Sequence, residues 1–241
     1  MSPKGRILLA FGIIASFGVS VSVVIIAIGG GFYAPPSSLL HPPTPADVWT
    51  VGEEIHPGTI LKYGLTRIGN HSSPWSSLGG HYSLVNAIVT MDFAKSEGNA
   101  WSVIFDVNNG ATAKVFTVLL SKQQLTNAGP INKDIVSFYE PIESSLLEIR
   151  DISLQPNYLA IGAEWNSLTI GPIGSTISAR IIAQERLQTP AGTFDTSVLG
   201  YTIGSNASRI WLSHNLPLPV KAEVYNAQNE LQYKYYLLSR K

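Results

Sequence analysis

Apolar and polar side chains alternate with a period of two along most of the chain from Asp47 onward, and this pattern confines the folded part to β-structure almost throughout. In "WSVIFDV" (101–107) Trp101, Val103, Phe105 and Val107 share one face, while Ser102 and Asp106 fall on the other. "NNG" (108–110) reads as a turn and "TAKVFTVLLS" (112–121) as the returning strand, so the pair is a hairpin. "HYSLVNAIVTMDF" (81–93) precedes it across a "KSEGN" turn, which makes an antiparallel meander. The C-terminal third repeats the theme. "TISARIIAQERLQ" (176–188), "TFDTSVLGYTI" (193–203), "RIWLSH" (209–214) and a hairpin over 220–239 about "NAQN" all read as strands, with Val220, Ala222 and Val224 facing the core.

Between residues 133 and 150 the alternation stops. Ile142, Leu146 and Ile149 recur at helical spacing and Pro141 suits a first helical turn, so the spacing predicts one short helix over Glu140–Arg150. About nine strands and one helix are most economically arranged as a curved antiparallel sheet, or half-barrel, wrapped over that helix. No segment repeats at a fixed period, which disfavours solenoids and propellers. "VFTVLL" (115–120) and "SLVNAIVTM" (83–91) are apolar on both faces. Either both faces are packed, or the surplus, including Val89, Val115, Val118 and Leu120, lines a pocket for an apolar chain.

The first 46 residues follow a different rule. No Asp, Glu, Lys or Arg stands between Arg6 and Asp47, and residues 7–32 are almost wholly apolar or small. A stretch of about 20 such residues crosses the hydrocarbon core as a helix. Lys4 and Arg6 precede it and the next basic residue is Lys62, so the positive-inside bias puts the N-terminus in the cytoplasm and the rest outside. The alternative is a cleaved signal peptide, whose apolar region is usually shorter. "APPSSLLHPPTPA" (34–46) holds five prolines and reads as an extended spacer. The resulting organisation is a cytoplasmic tail and transmembrane anchor over 1–33, a linker over 34–46 and an extracytoplasmic β-domain over 47–241.

Composition removes whole classes of chemistry. Sixteen basic and sixteen acidic residues cancel without any basic cluster, so nucleic acid is not an expected partner. Absence of cysteine excludes disulfides, thiolate metal sites, iron–sulfur clusters and a blue-copper centre. No G-x-S-x-G, S-x-x-K, H-E-x-x-H or Walker pattern occurs. "GPIGST" (171–176) lacks the lysine of a phosphate loop and reads as a turn. His41, His56, His71, His81 and His214 show no pairing at metal-ligand spacing, and Glu53, Glu54 and Asp106 read as solvated carboxylates. No catalytic residue, metal site or cofactor is therefore assigned.

"LQTPAGTFDT" (187–196) has the look of a motif, yet Pro190 followed by Gly192 is turn chemistry, and Asp195 beside it is an ordinary turn-flanking acid. Trp75, Trp101, Trp165 and Trp211, with Tyr225, Tyr233, Tyr235 and Tyr236, form either a core or an aromatic platform for a ligand. Asn70 and Asn206 each begin an Asn-x-Ser sequon.

The run from Leu187 to Ser239 resembles, in the order of its pieces, exported domains shaped like the LolA-type lipoprotein carriers. "TPAGTF" stands at a hairpin, "SRIWLSHNLPLPVKAEVY" supplies strand, break and strand, and "LQYKYYLLS" closes the run. The likeness covers about a fifth of the chain, leaves 47–130 unassigned and contains no catalytic motif. It implies a half-barrel that wraps an apolar ligand or packs on a helix, not an enzyme. The expected function is thus a membrane-anchored extracytoplasmic binding domain for a lipid or other apolar ligand, an envelope component or a membrane-protein partner. A structural or assembly subunit docked on a membrane complex is the alternative from another class, and an envelope hydrolase the third.

Overall fold

Residues 81–85 of the strand expected over 81–93 and most of "GPIGST" lie outside the described residues; among those described, strands form along most of the alternating stretches. Along the chain these are β1 (Val48–Trp49), β2 (Thr59–Arg67), β3 (Asn86–Glu97), β4 (Ala100–Asn108), β5 (Ala113–Ser121), β6 (Asn157–Tyr158), β7 (Leu168–Ile170), β8 (Ser175–Ile177), β9 (Arg180–Thr189), β10 (Gly192–Thr202), β11 (Ala207–Leu212), β12 (Lys221–Tyr225) and β13 (Leu231–Arg240). The computed structural model describes residues 48–67, 86–153, 157–165, 168–170 and 175–241, all within the unit His41–Lys241. The apolar stretch 7–32 and the linker 34–46 lie outside the described residues. Among the described residues no helix is long and apolar enough to cross a membrane.

Nine strands form one antiparallel sheet in the order β5-β4-β3-β2-β13-β12-β11-β10-β9. It is two meanders, β2 to β5 and β9 to β13, fused where β2 pairs with β13. Short pairs β1-β6 and β7-β8 stand apart from it. The ladder shifts register at Phe93/Lys95, Val198/Leu199, Val224/Tyr225 and Leu237/Ser239. An extra residue at such a point bends its strand and raises the local twist, so the sheet is curved, as expected. Strand β2, which joins the halves and is not among those expected from the sequence, carries the same alternation: Leu61, Tyr63 and Leu65 are buried, between Lys62, Gly64 and Thr66 on the other face.

The helix is displaced from its expected place. Helix α1 runs over Lys133–Glu143, and a four-residue helix α2 follows at Ile149–Ile152. Asn132 caps α1 by accepting from the Asp134 N–H at 3.0 Å. Pro141 therefore lies in the last turn rather than the first. A proline lacks the N–H that would continue the ladder, and the helix stops two residues later. The apolar spacing was real, since Ile142, Leu146 and Ile149 are buried, but it spans the end of one helix, a turn and the start of the next.

One face of the sheet carries the core. Trp101, Val103, Phe105 and Val107 are buried there as the alternation requires. Phe105 stacks on Phe116 at 5.5 Å and meets the Tyr139 ring of α1 edge-on at 5.8 Å. Farther along the same face, Trp49 stacks on Trp165 at 6.0 Å and donates to the Leu216 carbonyl at 2.9 Å, while the Tyr63 hydroxyl donates to the Pro219 carbonyl at 3.0 Å. These contacts fasten the connecting segments over the sheet; among the described residues no helix covers its opposite face.

The single strand expected over 176–188 is divided at Ser178–Ala179 into β8 and β9, because the backbone of Ala179 and Ile181 pairs instead with residues 162–165. Pro190 and Ala191 form the two-residue loop between β9 and β10, and Gly192 sits at φ +130°. That conformation is open to glycine and strained for a β-branched residue. Gly192→Val should lower the unfolding free energy by about 1 kcal/mol or more. Asp195→Asn should leave it within about 0.5 kcal/mol, since Asp195 is exposed and only 4.0 Å ion pairing to Arg186 is lost. Equal denaturation midpoints for wild type and the valine variant would contradict the turn assignment.

Candidate functional site

The residues proposed for an apolar pocket separate. Val89, Val118 and Leu120 are 0%, 5% and 0% exposed and belong to the core, whereas Val115 is 64% exposed on the other face. Period-two geometry explains this, because Val115 has the opposite parity to Val118 and Leu120 is paired across to buried Trp101. The four do not line one wall.

The uncovered face carries a continuous row in place of that pocket. Following partners strand by strand, Val198 stands opposite Trp211, Trp211 opposite Lys221, Lys221 opposite Tyr236, Tyr236 opposite Gly64, Gly64 opposite Ile88, and Ile88 opposite Asn108. The row crosses from β10 to β4. At one end it is sealed. Trp211 donates its indole N–H to Glu185, and the Lys221 ammonium lies 4.3 Å from the Trp211 ring centre while pairing with Glu223 at 2.9 Å. At the other end it is open, with Tyr236 and Ile88 both 43% exposed.

Between those two, Gly64 leaves a gap. A Cβ at position 64 would stand 3.3 Å from Cζ and 3.4 Å from Oη of Tyr236, so the tyrosine ring lies directly on the glycine backbone. The result is a groove of about 470 Å³ edged by Thr66, Asn86, Asn108 and Asn109. Asn109 Oδ1 accepts from the N–H groups of Ala111 and Thr112, and Asn108 Oδ1 accepts from Gly110 N–H. Asn86 Oδ1 accepts from the Thr66 hydroxyl at 2.9 Å. Of these residues only Tyr236 belonged to the aromatic set read from sequence. The signal for the rest was a glycine at an outward position of an alternating strand, with an aromatic residue facing it across the ladder.

A second cleft, of about 410 Å³, lies beside β9 and β10 and includes Gln184, Glu185, Arg186, Asp195, Ser197 and His214. Ser197 Oγ donates to the Leu159 carbonyl at 2.9 Å and Glu185 is engaged by Trp211, so two of its polar groups already have structural duties.

Beneath the core face lies a buried polar cluster. Tyr233 donates its hydroxyl to Glu148, and Arg67 donates to the Ser144 hydroxyl at 2.5 Å. Burial raises the Glu148 carboxyl from 4.5 to about 7, opposed by the Tyr233 hydrogen bond and by the Arg67 charge, and reinforced by Asp151. Tyr201, Tyr233 and Tyr235 are pushed up as well, first by burial and then by the nearby Glu148 charge in the case of Tyr201 and Tyr233. These groups are enclosed by α1, α2 and the sheet, where they tie the helical cover down.

The remaining sequence candidates are dispersed. His56 and His214 are exposed, and His41, His71 and His81 lie outside the described residues. Among the described residues no group of three His, Cys, Asp or Glu gathers around one point. Glu53, Glu54 and Asp106 are exposed. Trp101, Trp165, Tyr233 and Tyr235 are core residues, and Trp75 lies outside the described residues. Asn206 is exposed at the β10–β11 turn, where its Nδ2 donates to the Asn229 carbonyl at 2.9 Å; Asn70 lies outside the described residues.

No protein-family model matches the chain, and no curated protein matches it. Solved structures match at low identity. A predicted lipoprotein from Parabacteroides distasonis is 14% identical over 80% of this chain and 99% of its own, with a TM-score of 0.35. A predicted exported protein with a YmcC-like fold from Bacteroides fragilis is 12% identical over the same shares, also at 0.35. MucB is 10% identical over 77% of this chain and 53% of its own, at 0.39. Likenesses of this size fix neither a family nor an activity.

Proposed function

We propose that this protein is a binding domain rather than an enzyme, held outside the cytoplasm, and that it takes its partner on the uncovered face of the nine-stranded sheet. The observation that carries the reading is the row from Trp211 through Lys221, Tyr236 and Gly64 to Ile88, which stays in register across the strands and ends in two exposed apolar side chains beside a groove. Scattered exposed apolar residues are unremarkable, but a contiguous patch next to a concavity marks a binding surface. Location outside the cytoplasm is supported by Lys4 and Arg6 ahead of the uncharged stretch 7–32. The narrower reading as a LolA-type carrier gains no support from Val89, Val118 and Leu120, which are packed in the core.

Ile88→Asp in the full-length chain tests the reading. A carboxylate there should abolish retention of the partner while the unfolding midpoint stays within about 2 °C, as for an ordinary surface substitution. Asp195→Lys, at the β9–β10 hairpin, should do neither. Retention unchanged by Ile88→Asp but lost with Asp195→Lys would move the working surface to the second cleft.

A further inference from the structure

We propose that the groove beside Tyr236 is a saccharide site, one that binds a neutral sugar chain by stacking and amide hydrogen bonds. The assignment rests on the uncovered face being the working surface, and names what that face recognises. One side of the Tyr236 ring is seated on Gly64, 3.3 Å from where any other residue would place its Cβ. The other side looks outward, and 43% of the residue is exposed. An aromatic plate so held presents a flat, polarisable surface suited to the C–H faces of a pyranose ring.

The rim supplies the matching polar chemistry. A backbone N–H can only donate, so the bonds from Gly110 to Asn108, and from Ala111 and Thr112 to Asn109, fix which end of each amide faces the protein. With each Oδ1 engaged, Nδ2 is the end of each amide turned away from the turn backbone, where it can donate. Asn86, sharing one bond with the Thr66 hydroxyl, adds a third amide. Among the described residues that line the groove none is charged, which favours a neutral ligand over phosphates, carboxylates and amines. A sugar chain combines what remains: many hydroxyl and ether oxygens for donors, apolar C–H faces for the ring, and no formal charge. The groove volume of about 470 Å³ falls within the range of small-molecule sites.

The plainer role for Tyr236 is to cover a sheet glycine, which stabilises a strand without any ligand. Calorimetric titration of the full-length chain in detergent separates the two, using cellohexaose, maltohexaose and chitohexaose as probes and oligogalacturonate as the charged comparison. The site predicts saturable binding of at least one neutral hexaose and none of the charged one. Tyr236→Ala should weaken it about tenfold or more, Tyr236→Phe little, and Asn86→Ala about threefold. Gly64→Val should weaken it as well, by lifting the ring, and the loss expected of Asn86→Ala keeps the test readable should Tyr236→Ala unfold. Absence of binding to all three neutral hexaoses, or equal affinities for wild type and a folded Tyr236→Ala protein, would overturn the assignment. If the sugars fail but Ile88→Asp still releases a protein partner, the saccharide site falls and the binding face stands; if neither responds, both fall.

Discussion

Replacing Phe105 by alanine should cost about 3–5 kcal/mol of unfolding free energy, the range for truncating a fully buried aromatic residue. Its ring has no exposed surface, stacks on Phe116 and takes the edge of Tyr139, so it joins β4, β5 and α1 at one point. Loss of that ring removes apolar burial and leaves the helix facing a cavity. A domain of this size has total stability on the order of 5–15 kcal/mol, so the variant should be close to unfolding at room temperature. Val115→Ala, one residue from Phe116 but on the exposed face, should change stability by no more than about 0.5 kcal/mol. Urea titrations of the two variants check both numbers, and similar losses at 105 and 115 would contradict the assignment of faces.

Glu148 should make the fold less stable as pH rises. Its carboxyl is at about 7 in the folded protein against 4.5 as its ordinary value, chiefly through burial. Between those values the folded state holds a proton that the unfolded state has released, so unfolding free energy falls with increasing pH. The stabilisation is complete below about pH 4.5 and gone above about pH 7, a span worth about 3 kcal/mol. Glu148→Gln keeps a group that can pair with Tyr233 and removes the titration. Its stability relative to wild type should therefore grow by about 3 kcal/mol from pH 4.5 to pH 7. Arg67, Tyr201, Tyr233, Tyr235 and Asp151 surround this carboxyl from β2, β10, β13 and α2, and all are present in both proteins. Parallel stability curves for the two would show that Glu148 stays ionised in the folded chain.

How legible was this in the sequence? Alternation is a local signal: it revealed β4 and β12 with the correct inward residues, as Trp101, Phe105, Ala222 and Val224 show, and β5 and β10 as strands. Curvature also followed, because many strands and one helix leave few other arrangements. What alternation cannot reveal is which strands become neighbours. The pairing of β2 with β13 brings Gly64 against Tyr236 across more than two-thirds of the chain, and the groove exists only through that pairing. Pro141 misled for another reason. Proline fits the first turn of a helix and also ends one, and the cap that decides between these, Asn132, lies nine residues earlier. Val115 was grouped with Val118 because both stand in an apolar run, although odd and even positions in a strand cannot share a face.

The claim that the uncovered face does the work is tested most directly by placing a photo-crosslinking residue, one position at a time, in full-length protein made in its own cells. Positions 88 and 236 lie on the row, position 195 lies at the β9–β10 hairpin, and position 115 is exposed on the same face but away from the row. The account predicts a discrete adduct from 88 and 236, suppressed by Tyr236→Asp in the first case, and none from 195. Adducts of equal yield from 88, 115 and 195, or an adduct from 195 alone, would contradict it.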